Sequence, residues 1–183
     1  MSNDFNLVIT FEAGFENYRY VYSILLDVLG DFSVVDSAPS IILLRVEDPY
    51  RAIELFRKKS GEIRMIYRVI PIDSVVEPYV EDVAEESWRL ADKKIPIGRT
   101  YRVTLSGRLY WKETGLPAHS LDAIRVIASN IDRPVSLKHP AYVVHVRSIK
   151  IYGRRRVASV TVTESSNILS IAAPISRNSN SYT

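Results

Sequence analysis

The residues best able to do chemistry in this 183-residue chain are basic and aromatic side chains in its last third. Residues 99–183 hold 13 Lys and Arg against 4 Asp and Glu, whereas residues 1–75 and 76–98 each carry a net charge of −3. Aromatic residues are interspersed with these basic residues; for example, Tyr110 and Trp111 directly precede Lys112. Guanidinium groups match phosphate oxygens bidentately, and exposed rings stack on unpaired bases. The pattern predicts a surface for a polyanion such as RNA.

Fourteen residues are candidates for this RNA-binding surface. Ser120 is expected to cap a helix whose free backbone N–H groups would face a phosphate, with His119 beside it. Any single arginine is slightly better explained as a solvated surface residue, so the prediction rests on the cluster. The candidates are Arg99, Arg102, Arg108, Lys112, His119, Ser120, Lys138, His139, Arg147, Lys150, Tyr152, Arg154, Arg155 and Arg156.

No catalytic motif accompanies these residues. The seven glycines are scattered singly, so there is no phosphate loop, and the absence of cysteine excludes thiol nucleophiles, disulfides and Cys-based metal sites. We therefore expect no catalytic centre, metal or cofactor. Two alternatives stay open: a small-molecule-binding or regulatory module, and a small RNA-processing enzyme that uses His119 or His139 as acid or base. His145 is expected on an exposed strand face.

Targeting and composition signals favour a cytoplasmic protein. The N-terminus lacks a secretory signal, and the apolar runs are far shorter than the roughly 20 residues that span a membrane. The absence of glutamine and the 17 arginines against 7 lysines hint at a thermophilic source.

Hydrophobic periodicity predicts a βαββαβ order for the first part. The strands are residues 7–11, 32–35, 41–46 and 65–72, with a turn at residues 37–40. A helix over residues 15–29 ends at Gly30, and a second begins at Asp48-Pro49 and stops at Ser60-Gly61. This order is the ferredoxin-like arrangement.

The rest of the chain predicts a second α/β unit. An acidic helix over residues 79–92, with its acidic pairs solvated, precedes a strand over residues 100–106 and the helix begun by Ser120. A short apolar piece, residues 135–137, leads to a hairpin of residues 142–152 and 157–163 around Gly153-Arg154. The predicted fold class is α+β, with domains at residues 1–75 and 76–173 and a disordered tail at residues 174–183.

Residues 99–164 resemble the THUMP domain of tRNA-modifying enzymes and their adaptors. The matching stretches are residues 101–108, 119–121, 135–140 and 142–151; helix 79–92 corresponds to the domain's leading helix, and residues 5–72 to the ferredoxin-like domain that commonly precedes it. Family members often carry Asp and Asn where this chain has Ser136 and His139. The resemblance implies capture of tRNA at its acceptor stem and single-stranded 3′ end. This capture would position a modifying domain over a distant nucleotide of the tRNA.

No methyltransferase, pseudouridine synthase or thiolation module follows the matching region. The chain therefore resembles the stand-alone members, in particular the adaptor of tRNA cytidine N4-acetyltransferase. This implies a non-catalytic tRNA-binding adaptor for a tRNA-modifying enzyme. The acidic N-terminal domain would complete the RNA groove or set its distance from that enzyme.

Overall fold

The first half of the protein, in a computed structural model that describes residues 4–172, has the predicted βαββαβ order. Helix α2 shows how the local sequence determines where a helix begins. The Asp48 carboxylate accepts hydrogen bonds from the N–H groups of Tyr50 and Arg51, at 3.0 and 3.1 Å, and Pro49 occupies the first helical position. The elements are β1 (Leu7–Phe11), α1 (Phe15–Leu29), β2 (Ser33–Ala38), β3 (Ile41–Arg45), α2 (Pro49–Lys59) and β4 (Ile66–Pro71).

The second half forms an α/β unit around a long hairpin. Positive φ of 50° at Tyr152 and 69° at Gly153 closes the turn between the hairpin strands. The elements are β5 (Ser74–Val76), α3 (Val80–Lys94), β6 (Tyr101–Ser106), α4 (Ser120–Ala128), β7 (Tyr142–Ile151), β8 (Arg155–Glu164) and β9 (Leu169–Ser170).

Two sheets organise the described residues. The first sheet has the order β2-β3-β1-β4-β9, and its first four strands are the ferredoxin-like arrangement. The second sheet has the order β5-β8-β7-β6, in which only β6 and β7 run parallel, joined by α4 as a crossover. The α+β fold class is therefore confirmed. The domain bounds at residues 75 and 76 stay a prediction; β9 pairs with β4 in the first sheet.

The two sheets pack face to face, and the helices cover their outer faces. Strand β1 alternates, so that Leu7 and Ile9 lie under α1 and α2 whereas Val8 points toward the second sheet. Helices α3 and α4 cover the other face of the second sheet. An inner apolar cluster joins the sheets and consists of Phe5, Val8, Leu43, Ile70, Ile72, Ile149, Ile151 and Val157.

A partly buried polar junction ties the two halves together. The Asp73 carboxylate accepts hydrogen bonds from the Tyr50 hydroxyl at 2.6 Å, the Lys94 ammonium at 2.8 Å and the Val162 N–H at 2.8 Å. Burial and the negative charge of Asp73 raise the pKa of Tyr50, which keeps its hydroxyl protonated as a donor. The junction joins α2, α3 and β8, and so helps to hold the two sheets in one orientation.

Several sequence-based details differ from the structure. Strand β2 runs to Ala38, into the predicted turn. Strands β5 and β9 were not predicted. The tail expected at residues 174–183 lies outside the described residues. Within residues 4–172 no helix combines the length and apolarity needed to cross a membrane.

Candidate nucleic-acid interface

Strand β6 forms the outer edge of the second sheet and places Arg102 in solvent. Tyr101 and Val103 are buried on the helix side, so the alternation of the strand turns Arg102 to the other face. The Arg102 guanidinium donates a hydrogen bond to the carbonyl of Leu137 at 3.3 Å. This contact brings Arg102 beside the loop that carries Lys138 and His139. With Arg99, these residues form an amino-end group at the start of β6.

A glycine-dependent turn holds Arg108 at the other end of β6. Gly107 has a φ of 80°, and a Cβ there would lie 3.0 Å from both the Cβ and the carbonyl oxygen of Ser148. Only glycine fits this backbone conformation and this spacing without strain. The N–H of Ala118 donates a hydrogen bond to the carbonyl of Leu109, which brings the following residue, His119, back to the carboxyl end of β6. Arg108, His119 and Ser120 therefore form a carboxyl-end group.

The structure separates the two groups along β6. The Tyr101 hydroxyl bonds to the carbonyl of Ala128, at 3.4 Å, so the end of α4 lies at the start of β6. A six-residue strand spans about 17 Å. His119 and His139 consequently lie at opposite ends, and no single reacting atom contacts both. The predicted cluster is an elongated edge rather than one compact patch.

The expected capping role of Ser120 is wrong. His119 is the N-cap residue, Ser120 is the first helical residue, and neither side chain makes a capping hydrogen bond. The first turn of α4 also carries Asp122, which pairs with Arg125 at 3.5 Å. A carboxylate in this position competes with a phosphate for the positive end of the helix dipole. Ser120 remains exposed, but the helix start is a weaker anion site than expected.

Two of the predicted cations are already neutralised by acidic residues. Lys112 forms an ion pair with Asp82 at 2.6 Å, and its N–H donates to Glu81. Arg155 pairs with Glu77 at 2.8 Å. Asp82 is therefore not the freely solvated charge that we expected. Lys112 and Arg155 contribute less to an anion surface than their charges suggest.

The hairpin end carries the remaining candidates. Arg156 donates to the Ser148 hydroxyl at 3.2 Å, and the Tyr152 N–H donates to the Asp36 carboxylate at 2.6 Å, which anchors the hairpin end to β2. Lys150 and Arg154 are exposed. Among the candidate cations, all of which lie within the described residues, the side chains of Arg99, Arg108, Lys138, Arg147, Lys150 and Arg154 form no ion pair or hydrogen bond.

Few aromatic rings remain free to stack on bases. Tyr101 is buried, and Tyr142 is partly buried and packs against the core of the second sheet. Trp111 also packs against the α3–α4 core, and Tyr110 is half-buried between isolated bridges. Tyr152, 58 % exposed at the hairpin end, is the aromatic candidate with an open face.

The inner face of β7 holds a group that sequence reasoning misplaced. His145 is only 4 % exposed, contrary to the expected exposed position, and Nδ1 lies 2.8 Å from the Thr104 hydroxyl. Burial, reinforced by the positive charges of Arg68 and Arg147, lowers the pKa of His145 to about 4. The ring is therefore neutral at pH 7.

Arg147 and Arg68 bring positive charge to the space between the sheets. Burial and the charge of Arg68 lower the pKa of the half-buried Arg147. Arg68 was not among the predicted residues, although it interrupts the apolar strand β4 in phase with the inward-facing Ile70. Because residues two apart on a strand share one face, this spacing in the sequence indicated a charged side chain at the interface between the sheets. Among the described residues, no cluster of His, Asp or Glu is arranged to hold a metal ion.

Comparisons with known proteins show the fold. No protein-family model matches the chain, and no curated protein is significantly similar to it in sequence. Solved structures that are similar include PH1313 from Pyrococcus horikoshii, with a TM-score of 0.55 and 12 % identity over 86 % of this chain and 54 % of that chain. A 4-thiouridine synthetase in complex with RNA and ATP has a TM-score of 0.56 and 12 % identity over 88 % of this chain and 42 % of that chain. TrmN from Thermus thermophilus has a TM-score of 0.53 and 18 % identity over 85 % of this chain and 44 % of that chain.

The likeness extends over most of this chain, but the chain spans only about half the length of these structures. The described topology is a four-stranded ferredoxin-like unit joined to a sheet with one parallel βαβ crossover. The chain therefore has the fold of a ferredoxin-like domain followed by a THUMP-type domain.

Proposed function

We propose that the chain binds RNA, and tRNA in particular, along the β6 edge of its THUMP-type half. The observation that carries the proposal is the row of exposed cations without acidic partners, led by Arg99, Arg102, Arg108 and Lys138. Unpaired surface cations attract phosphates and release counterions on binding. The structurally similar 4-thiouridine synthetase was solved with RNA, which supports the choice of RNA over other polyanions.

The arrangement favours recognition of an extended backbone. Two cationic groups about 17 Å apart along one strand suit successive phosphates of a stem and its single-stranded end better than a compact anion. Tyr152 is positioned to stack on an unpaired base near the hairpin end. We propose the acceptor stem and 3′ end of tRNA as the bound region.

We further propose that the protein is a non-catalytic adaptor, which delivers tRNA to a modifying enzyme such as a cytidine N4-acetyltransferase. The separation of His119 from His139 supports this role, because it removes the simplest acid–base pair from the candidate surface. The proposal predicts no change in tRNA incubated with the purified protein alone. Product formed without a second protein, and lost on His119→Ala or His139→Ala, would instead make the chain an enzyme.

The decisive experiment measures tRNA affinity across a salt series for the wild type and for Arg102→Ala/Arg108→Ala. Each lost phosphate contact lowers the slope of log K against log salt by about 0.9, so the double variant should lose roughly two units of slope. Arg19→Ala/Arg64→Ala removes the same charge from exposed positions of the other half and should leave the slope almost unchanged. Equal slopes in all three proteins would remove the β6 edge from the interface.

A second comparison tests the bound region. We expect tRNA that lacks its 3′-terminal nucleotides to bind more weakly than whole tRNA, because single-stranded contacts near the hairpin are lost. Equal affinities would leave backbone binding but exclude recognition of the 3′ end.

A further inference from the structure

The space between the two sheets changes character along its length. At one end, Val8 and Ile70 pack on Ile149 and Ile151 within the inner apolar cluster. Further along β1 and β4, Thr10 pairs in register with Arg68, and the same face of β7 carries Arg147 and His145. The sheets are thus sealed by apolar side chains at one end and separated by polar groups at the other.

The polar end opens into a cleft of about 690 Å³. This volume lies in the range of small-molecule sites and exceeds what one ion requires. Two guanidinium groups and four hydroxyl-bearing residues make up its polar side-chain lining, which contains no carboxylate. The polar lining residues are Thr10, Ser40, Tyr67, Arg68, Arg147 and Ser170.

The two arginines in the cleft have no counterion. Within residues 4–172, neither guanidinium forms an ion pair or a hydrogen bond; Arg147 is half-buried, and Arg68 lies at the exposed mouth of the cleft. The two like charges lie close enough for Arg68 to lower the pKa of Arg147. A partly desolvated cation beside a second cation is unfavourable unless an anion joins them. Placing both arginines here is consistent with a site for a ligand that supplies the negative charge.

His145 supplies a second, independent observation. Its Nδ1 is occupied by Thr104, but its Nε2 is buried and has no hydrogen-bond partner among the described residues. Buried polar atoms are nearly always paired, so an orphaned ring nitrogen on the same face of β7 as the cleft residue Arg147 indicates a missing partner. When Thr104 donates to Nδ1, Nε2 carries the proton and can donate to an oxygen.

We propose that this cleft binds a phosphate group between Arg68 and Arg147. Phosphate fits because its oxygens accept bidentate hydrogen bonds from planar guanidinium forks and further bonds from hydroxyl groups. The site joins the ferredoxin-like half, through Arg68, to the THUMP-type half, through Arg147, which lies on β7 opposite Ser106 of β6. The phosphate is either part of an RNA or part of a free nucleotide or phosphate ion, and the inference does not depend on the proposed tRNA binding.

The test compares the wild type with Arg68→Gln/Arg147→Gln, using inorganic phosphate as the first probe. Thermal unfolding is followed with increasing phosphate at constant ionic strength set by sodium chloride. We expect phosphate to raise the melting temperature of the wild type and of Arg19→Gln/Arg64→Gln, but not of the cleft variant. Arg147→Lys keeps the charge but not the fork, so its phosphate affinity should fall roughly tenfold.

The second arm measures tRNA affinity for the same variants and identifies the source of the phosphate. A loss of affinity with a reduced salt slope in Arg68→Gln/Arg147→Gln assigns the site to an RNA phosphate. A phosphate response with unchanged tRNA affinity assigns it to a free phosphate compound. Failure of all tRNA binding with a retained phosphate response would refute the proposed function and leave this inference intact.

Two results would overturn the inference. One is a folded cleft variant whose responses to phosphate and to tRNA both equal those of the wild type. The other is a large loss of stability in Arg147→Gln measured in chloride, without phosphate or RNA. The proposal expects Arg147→Gln to be at least as stable as the wild type in chloride, because the substitution removes an uncompensated cation.

Discussion

Burial of His145 makes the stability of this protein depend on pH in the weakly acidic range. The ring lies on the inner face of β7, 4 % exposed, with Thr104 as its hydrogen-bond partner and two arginine side chains nearby. Burial is the larger cause of its low pKa of about 4, and the charges of Arg68 and Arg147 add to it. The perturbation is therefore a drop in pH through the range in which an ordinary histidine takes up a proton.

The sign and size of the effect come from the two pKa values. An unfolded histidine has a pKa near 6.5, so between about pH 6.5 and 4 the unfolded state binds a proton that the folded state does not. Folding stability therefore falls as the pH falls through this window, and His145 contributes nothing to the pH dependence above about pH 7. From pH 7.5 to pH 5 the expected loss is about 2 kcal/mol, a large part of a typical stability of about 5–15 kcal/mol.

Urea denaturation of the wild type and of His145→Gln at several pH values measures the contribution of His145 to the pH dependence of stability. Glutamine does not titrate but can still hydrogen-bond to Thr104. The wild type should lose about 2 kcal/mol more than the variant over this range, since the carboxylates common to both proteins cancel. The buffers contain chloride rather than phosphate, because an anion beside the arginines would raise the pKa of His145. Parallel pH profiles of the two proteins would refute a buried neutral ring.

Two further predictions concern the groups that shape the fold. Asp73→Ala should lower the free energy of unfolding in urea by about 3 kcal/mol, because it leaves three partly buried donors without their acceptor. Asp27→Ala, which breaks an exposed ion pair, should change the free energy of unfolding by less than about 1 kcal/mol, and equal effects of the two substitutions would contradict a partly buried junction. Gly107→Ala should lower stability by about 1–3 kcal/mol through its positive φ and close contact. Gly115 also has a positive φ but has no atom near the added Cβ, so Gly115→Ala should lower stability by less. An equal loss in the two variants would show that the close contact of Gly107 with Ser148 does not matter.

Local signals in the sequence were sufficient for most secondary structure. Helix α1 begins and ends where its apolar stripe and Gly30 indicate, and the capping of α2 by Asp48 follows from residues within one turn. The hairpin around Gly153 also depends on neighbouring residues. Because the order of these elements limits the possible topologies, the ferredoxin-like arrangement could be predicted without the structure, whereas the THUMP-type half was predicted from a family resemblance.

Short strands depended on contacts between distant parts of the chain. Strand β9 has two residues, and it exists because Leu169 and Ser170 pair with β4 about a hundred positions earlier. Strand β5 likewise exists through its pairing with β8. Neither segment is long enough for a periodic pattern, so no local signal identifies it.

For the candidate site, the sequence by itself determined the chemistry, and the tertiary structure decided which groups are available. An excess of arginine after residue 99 indicates an anionic partner wherever the side chains lie. Packing determined that Lys112 meets Asp82, that His145 is buried and that Arg68 approaches Arg147. Charge is a property of residue type, whereas exposure, ion pairing and desolvation depend on neighbours that only the folded chain brings together.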